Sequence, residues 1–249
     1  MSDATVVFGL HAVRVLLQRH ATKVVQLSVQ RGREDARINE VIKLAREQNI
    51  KIEQRNSHDM DQLVQGESHQ GVIAQLKKID NLGEGALDDV LDRAGDSPLV
   101  LVLDGVTDPH NLGACLRTAD AAGVNAVIVP RDRAAGLSPV VRKVAAGAAE
   151  TVPLIQVTNL ARTLRWLKER GLWLVGTDDE ATQSIYAAKL TGPLAVVMGA
   201  EGAGMRRLTR EHCDLLVTIP MQGVVESLNV SVATGVTLYE VVRQRSVTG

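Results

Sequence analysis

The chain has 249 residues, of which 45% are hydrophobic and 23% charged, with a formal net charge of −1. This is a globular composition, large enough for one sizeable domain or two small ones, and it excludes disorder as the main state. No apolar run approaches the roughly 18 residues needed to cross a bilayer, and Met1-Ser2-Asp3-Ala4 has neither the basic nor the apolar segment of a secretory leader, so a cytoplasmic protein with no membrane partner is expected.

In chain order, an apolar run at Val24 to Val29 predicts a strand, the spacing of Ala36 to Gln48 predicts a helix, and Ile50 to Glu53 and Gly71 to Leu76 predict two further strands. These form a small α/β unit over residues 1–78, within the usual size of a domain. The unit carries 12 Lys and Arg against 9 Asp and Glu, and Arg31, Arg33 and Arg37 could make a local phosphate-binding patch or simply a solvated face. Residues 79–97 carry one basic residue against six acidic ones and are rich in Gly and Asp, which predicts an acidic linker. Within it, Leu82, Leu87, Val90 and Leu91 suggest a short helix.

From residue 98 onward, apolar β-rich runs alternate with helical patterns. The runs are Leu99–Leu103, Ala126–Val129, Val152–Ile155, Leu172–Gly176, Leu194–Met198 and Leu215–Ile219; the helices between them are Leu112–Ala122, Pro139–Ala149, Leu160–Arg170 and Met205–His212. Such alternation predicts a mostly parallel sheet with helices on both faces. Thr158 or Asn159 opens one helix and Gly171 closes it, while Gly123 closes an earlier one. A last helix covers Gly235 to Arg245, and Ser227 is placed near its start.

In an open parallel sheet ligands gather at the carboxyl ends of the strands. Three such ends are unusual. The first, Asp104-Gly-Val-Thr-Asp108-Pro-His-Asn111-Leu-Gly113-Ala-Cys-Leu-Arg117, runs into a helix for which Asn111 is expected to be the cap, with Arg117 pointing elsewhere. The second, Met198-Gly199-Ala-Glu201-Gly202-Ala-Gly204-Met205, lets the backbone approach closely around one carboxylate, but it is neither a dinucleotide fingerprint nor a phosphate loop. The third is Ile219-Pro-Met221, followed by Ser227-Leu-Asn229-Val-Ser231-Val-Ala233. Each alone is as well explained by a capped helix or a tight turn.

Other chemistries find little support. The six histidines show no paired-ligand spacing, so no metal is expected, and Cys115 and Cys213 suggest neither a disulfide framework nor a zinc site. No G-x-S-x-G elbow is present, and Asp104 and Asp108 are expected to support turns. Aromatic residues make up only 2% of the chain, which removes the stacking platforms of many single-strand binders.

Together, Asn111-x-Gly113-x-x-x-Arg117, Gly199-x-Glu201-Gly202 and Ile219-Pro-Met221 with Ser227-Leu-Asn229-Val-Ser231-Val-Ala233 resemble the three ordered motifs of the SpoU family of RNA ribose 2′-O-methyltransferases, within the SPOUT superfamily. The resemblance covers residues 98–249. The front, with Phe8-Gly-Leu-His-Ala-Val and His69-Gln-Gly-Val, is similar to the L30e-like RNA-binding domain that precedes many such enzymes. The resemblance implies S-adenosylmethionine as methyl donor, an RNA rather than a DNA substrate, a homodimer and a trefoil knot in the catalytic domain. It places Gly199, Ile219, Met221 and Leu228 around the donor and Asn111, Arg117, Glu201, Ser227 and Asn229 at the reacting ribose. Glu226 stands where close relatives are expected to have serine and is left outside the catalytic set. A guanosine of the peptidyl-transferase region of 23S ribosomal RNA is the implied target. Competing readings are a transfer RNA methyltransferase of the same family, a noncatalytic RNA-binding protein and a dinucleotide-dependent oxidoreductase, the last opposed by the missing fingerprint after Leu99–Leu103.

Overall fold

A computed structural model of the chain describes residues 6–64, 66–76 and 82–247. The opening residues 1–4 and the beginning of the acidic linker at 79–81, both read above, lie outside the described residues, as does the side chain of His20. The chain divides into two compact units, one of residues 1–80 with 137–151 and the other of residues 81–136 with 152–249.

In the first unit a four-stranded sheet has the order β1 (Val6–Phe8), β4 (Val72–Leu76), β2 (Val24–Gln30) and β3 (Lys51–Arg55). β1 and β2 run antiparallel to β4, and β3 runs parallel to β2. Helices α1 (Leu10–His20) and α2 (Ala36–Glu47) supply Leu16, Leu17, Ile38 and Val41 to a core shared with Leu27 and Val72. α2 begins at Asp35, whose carboxylate accepts the N–H groups of Arg37 and Ile38; those bonds and Arg33 hold it below its usual pKa. The strand β1 and helices α1 and α3 (Ser57–Leu63) lie outside the elements expected from periodicity, β1 because three residues show no period and α3 because it buries only Met60.

Residues 137–151 join this unit as α6 (Pro139–Val144) and α7 (Ala148–Thr151), although the sequence places them with the following region. Lys143 lies 5.6 Å from the centre of the Phe8 ring and bonds Glu67 at 2.7 Å. A Cβ on Gly147, whose φ is +99°, would meet Val15 Cβ at 2.9 Å, so this contact requires glycine. Arg142 and Glu150 form a buried ion pair, each carrying the countercharge without which burial would be costly.

The second unit holds a six-stranded sheet, parallel throughout, in the order β10 (Leu215–Val217), β8 (Trp173–Thr177), β9 (Leu194–Gly199), β5 (Leu99–Asp104), β6 (Ala126–Pro130) and β7 (Leu154–Val157). β5 is buried at every position, because helices cover both faces and only an unbroken apolar run satisfies that environment. The mostly parallel α/β architecture is therefore as expected. α8 (Leu160–Glu169) opens at Asn159, which accepts the Arg162 N–H, and Gly171 follows it with φ +84°.

The acidic linker is docked on this unit. Its helix α4 (Leu87–Arg93) buries Leu87 and Leu91 in the same cluster as Leu160, Leu164 and Leu167 of α8. Glu84 accepts the N–H and hydroxyl of Thr158 and pairs with Arg162 at 2.5 Å; burial pushes its pKa up, but these bonds outweigh it and hold the carboxyl below its usual value. Asp88 and Asp92 both pair with Arg170.

Candidate active site

From β5 the chain runs through β6 and β7 on one side, then returns to place β8 and β9 on the other. The β5–β9 boundary is thus where strand order reverses, and there Asp104 and Gly199 are direct neighbours. All three unusual strand ends converge near this boundary.

Helix α5 (Pro109–Ala121) is capped by Asp108, which accepts the His110 N–H at 2.9 Å, with Pro109 in the first turn. This corrects the expectation that Asn111 is the cap. Asn111, relieved of that duty, lies within the first turn, where its Oδ1 accepts Asn229 Nδ2 at 3.0 Å and its Nδ2 donates to Glu201 Oε2 at 3.4 Å. Asn229 Nδ2 also donates to Glu201 Oε2, at 3.1 Å. The orientation of that amide is set from behind, since Asn229 Oδ1 accepts the Ser231 N–H at 2.9 Å and a backbone N–H can only donate. Asn229 thus stands at the head of α10 (Val230–Val247), and Ser227, expected near a helix start, lies in the loop just before it.

Glu201 is carried by a loop that doubles back on its strand. Ala200 and Gly204 exchange backbone hydrogen bonds at 3.0 and 2.9 Å, and a Cβ on Gly199 would fall 2.2 Å from Gly204 C. The loop walls a cavity of about 760 Å³, lined also by Thr177, Asp178, Thr218, Ile219, Met221 and Leu228. Gly199, Glu201, Glu226 and Ser227 line it as well. Its size falls within the roughly 300–1,000 Å³ of small-molecule sites. Apolar walls and the carboxylates of Asp179, Glu201 and Glu226 suit a ligand that is part apolar and part cationic.

The structure brings together Asn111, Glu201 and Asn229 by hydrogen bonds and sets Gly199, Glu201, Ile219, Met221, Ser227 and Leu228 around one cavity. Arg117 is on the exposed side of α5, outside that lining, and makes no hydrogen bond or ion pair among the described residues. Burial pushes the Cys115 thiol up to about 11, and burial with the nearby Asp214 pushes Cys213 up to about 12, so neither is a thiolate at neutral pH. Among the described residues no group of three His, Cys, Asp or Glu side chains could hold a metal ion.

One contributor was read in the sequence only as a turn-supporting residue, an expectation the structure corrects. Asp104, fully buried, accepts the Arg206 N–H at 2.9 Å and Nε at 2.7 Å and pairs with its Nη2 at 2.6 Å. The available signal was a lone acidic residue ending an otherwise apolar strand.

Known proteins show the same architecture. Residues 98–239 match the SpoU rRNA Methylase family, and residues 6–82 match the domain described as RNA 2'-O ribose methyltransferase substrate binding. The chain is 58% identical over 247 residues to the 23S rRNA (guanosine-2'-O-)-methyltransferase RlmB of Pseudomonas putida, covering 99% of each. It is 57% identical over 240 residues to the protein of that name from Haemophilus influenzae, covering 96% of this chain and 97% of the relative. The solved structure of the SpoU methyltransferase AviRb from Streptomyces viridochromogenes, in complex with the cofactor AdoMet, is similar with a TM-score of 0.79 at 25% identity, over 98% of this chain and 91% of that one.

Proposed function

The chain belongs to the SpoU rRNA methylase family, and from that premise we propose that it methylates the ribose 2′-hydroxyl of a guanosine in 23S ribosomal RNA, with S-adenosylmethionine as donor. The observation that carries this reading is the Asn111–Glu201–Asn229 cluster at the mouth of a cavity walled by the glycine-rich loop.

The donor fits the residues present: Gly199, Ile219, Met221 and Leu228 would hold its adenosyl and methionine parts by backbone and apolar contact, beside carboxylates that favour its positive charge. When bound, S-adenosylmethionine supplies an electrophilic methyl group on a sulfonium. The protein must then align the ribose oxygen behind that methyl carbon and let the hydroxyl lose its proton. Glu201 has one oxygen, Oε2, engaged by Asn111 and Asn229, which leaves Oε1 to accept a hydrogen bond from the ribose hydroxyl. Asn229 fixes that carboxylate, and Ser227 faces the same space. Alignment of this kind can supply up to roughly 7–11 kcal/mol in ideal cases. Arg117 binds a substrate phosphate, stabilising negative charge that develops on the ribose oxygen.

Homodimer formation belongs to the same proposal, supported by the exposed Val232 and Tyr239, seven residues apart on α10. The trefoil knot is supported by the course of the chain: β9 lies between β8 and β5, β10 lies beyond β8, and α10 then returns to pack on α5 and β9. A cytoplasmic location belongs to the same proposal, supported by the ribosomal RNA substrate it names. Among the described residues no helix is long and apolar enough to cross a membrane.

Incubation with labelled S-adenosylmethionine and unmethylated 23S RNA tests the reaction. Label is expected in an alkali-resistant dinucleotide containing guanosine. Donor binding with no transfer to any RNA would leave a noncatalytic RNA-binding protein instead.

A further inference from the structure

We propose that Asp104 and Arg206 are a positioning pair that sets the loop carrying Glu201, and through it both the donor cavity and the ribose site. The proposal rests on the methyl-transfer reading above.

The loop begins and ends at one carboxylate. Its first residue, Gly199, is the β-neighbour of Asp104, and the residue that closes it, Arg206, gives Asp104 its backbone N–H at 2.9 Å. The backbone bond fixes the chain, and the guanidinium adds Nε at 2.7 Å and Nη2 at 2.6 Å, a fork that lysine cannot reproduce. Between these ends Ala200 and Gly204 pair, Gly202 and Gly204 take positive φ of 75° and 64°, and Glu201 is presented to Asn111 and Asn229. Gly105, directly after Asp104, also has positive φ, and a Cβ there would lie 3.6 Å from Ala200 Cβ, so the two strand ends are in close contact.

The Asp104 side chain is wholly buried and does not line the cavity, whereas the Arg206 side chain is about half exposed, at 48%. A buried carboxylate is costly unless charged donors satisfy it, and here the donors come mainly from the end of the Glu201 loop. The pair therefore spends its interaction energy on the geometry of that loop. Asp104 touches no reacting atom and acts through Glu201.

The test is a double-mutant cycle on the full-length chain, with activity on 23S RNA and calorimetric binding of S-adenosylmethionine measured separately. Asp104→Asn, which keeps the shape but turns one oxygen into a donor facing Arg206, is expected to lower kcat at least tenfold, weaken S-adenosylmethionine binding at least threefold and leave the RNA KM within twofold. In a Glu201→Gln background the same change is expected to lower kcat by less than twofold, because the group it positions is already gone. Arg206→Lys, at a half-exposed position that tolerates substitution, is expected to shift kcat and donor binding in the same direction. Additive losses in the double variant would overturn the proposal, as would Arg206→Lys with wild-type kcat and donor affinity. If the wild-type chain methylated no RNA, the functional reading would fail, while the donor-binding measurements would still decide whether the pair shapes the cavity.

Discussion

The side-chain amide of Asn229 donates to Asn111 Oδ1 at 3.0 Å, joining residues 118 positions apart at the mouth of the cavity. The same amide donates to Glu201, so the last of the three sequence motifs holds the other two in register. Asn229→Asp would replace this double donor with a carboxylate beside Glu201. Steady-state kinetics with saturating donor should show kcat reduced by about 100-fold or more for Asn229→Ala, in the range seen when one preorganised donor is removed, and by at least as much for Asn229→Asp. Turnover retained by Asn229→Ala would remove Asn229 from the site.

Arg117 presents a different case, because its side chain is exposed and unpaired among the described residues. Substitution there should leave the fold alone, within about 0.5 kcal/mol. Arg117→Lys keeps the charge and loses the planar fork, so it should raise the RNA KM and lower kcat while urea unfolding stays unchanged. Near-full activity in Arg117→Lys would show that a point charge suffices.

How much of this was legible follows from the range of the interactions. The parallel sheet was legible because strands such as Leu99–Asp104 are buried on both faces and leave an unbroken apolar run. Caps were only partly legible: Thr158 and Asn159 were both candidates for one helix, of which Asn159 is the cap, and Asp108 and Asn111 are both competent caps for another, where Pro109 at the first helical position favours Asp108. Ser227 was read near a helix start and lies just before one, but the helix itself begins at Val230 rather than Gly235, because the polar/apolar alternation before Gly235 also fits a strand. The Asp104–Arg206 pair was illegible, since partners 102 residues apart share no local pattern. The motif residues were recognisable as a set, but that Asn111, Glu201 and Asn229 share hydrogen bonds emerges only when β5 and β9 lie side by side.

The docked linker allows apolar and ionic contributions to be separated. Leu91 is 4% exposed within the α8 cluster, so Leu91→Ala should cost about 2–4 kcal/mol by lost transfer and the cavity it leaves. Arg170, by contrast, pairs with Asp88 and Asp92 side chains that are 59% and 67% exposed. Exposed pairs contribute about 0–1 kcal/mol each, so Arg170→Ala should cost less than Leu91→Ala, and its effect should shrink further in high salt. Equal losses in urea unfolding would mean that charge, not burial, holds the acidic segment.

Gly199 and Gly204 should respond differently to the same added methyl group. At Gly199 a Cβ would lie 2.2 Å from Gly204 C and 2.3 Å from Met205 N, both backbone atoms that cannot move without opening the loop. At Gly204 nothing lies within 4 Å of the added carbon, and the obstacle is the positive φ of 64°, a left-handed conformation costing roughly 1–2 kcal/mol for an alanine. Gly199→Ala should therefore weaken S-adenosylmethionine binding more than tenfold and reduce turnover with it, because Glu201 is carried on the displaced segment. Gly204→Ala should lower thermal stability slightly while keeping donor affinity within a few-fold of wild type. Calorimetric titration of both variants checks the contrast. Wild-type affinity in Gly199→Ala would show that the loop can open without disturbing the cavity it walls.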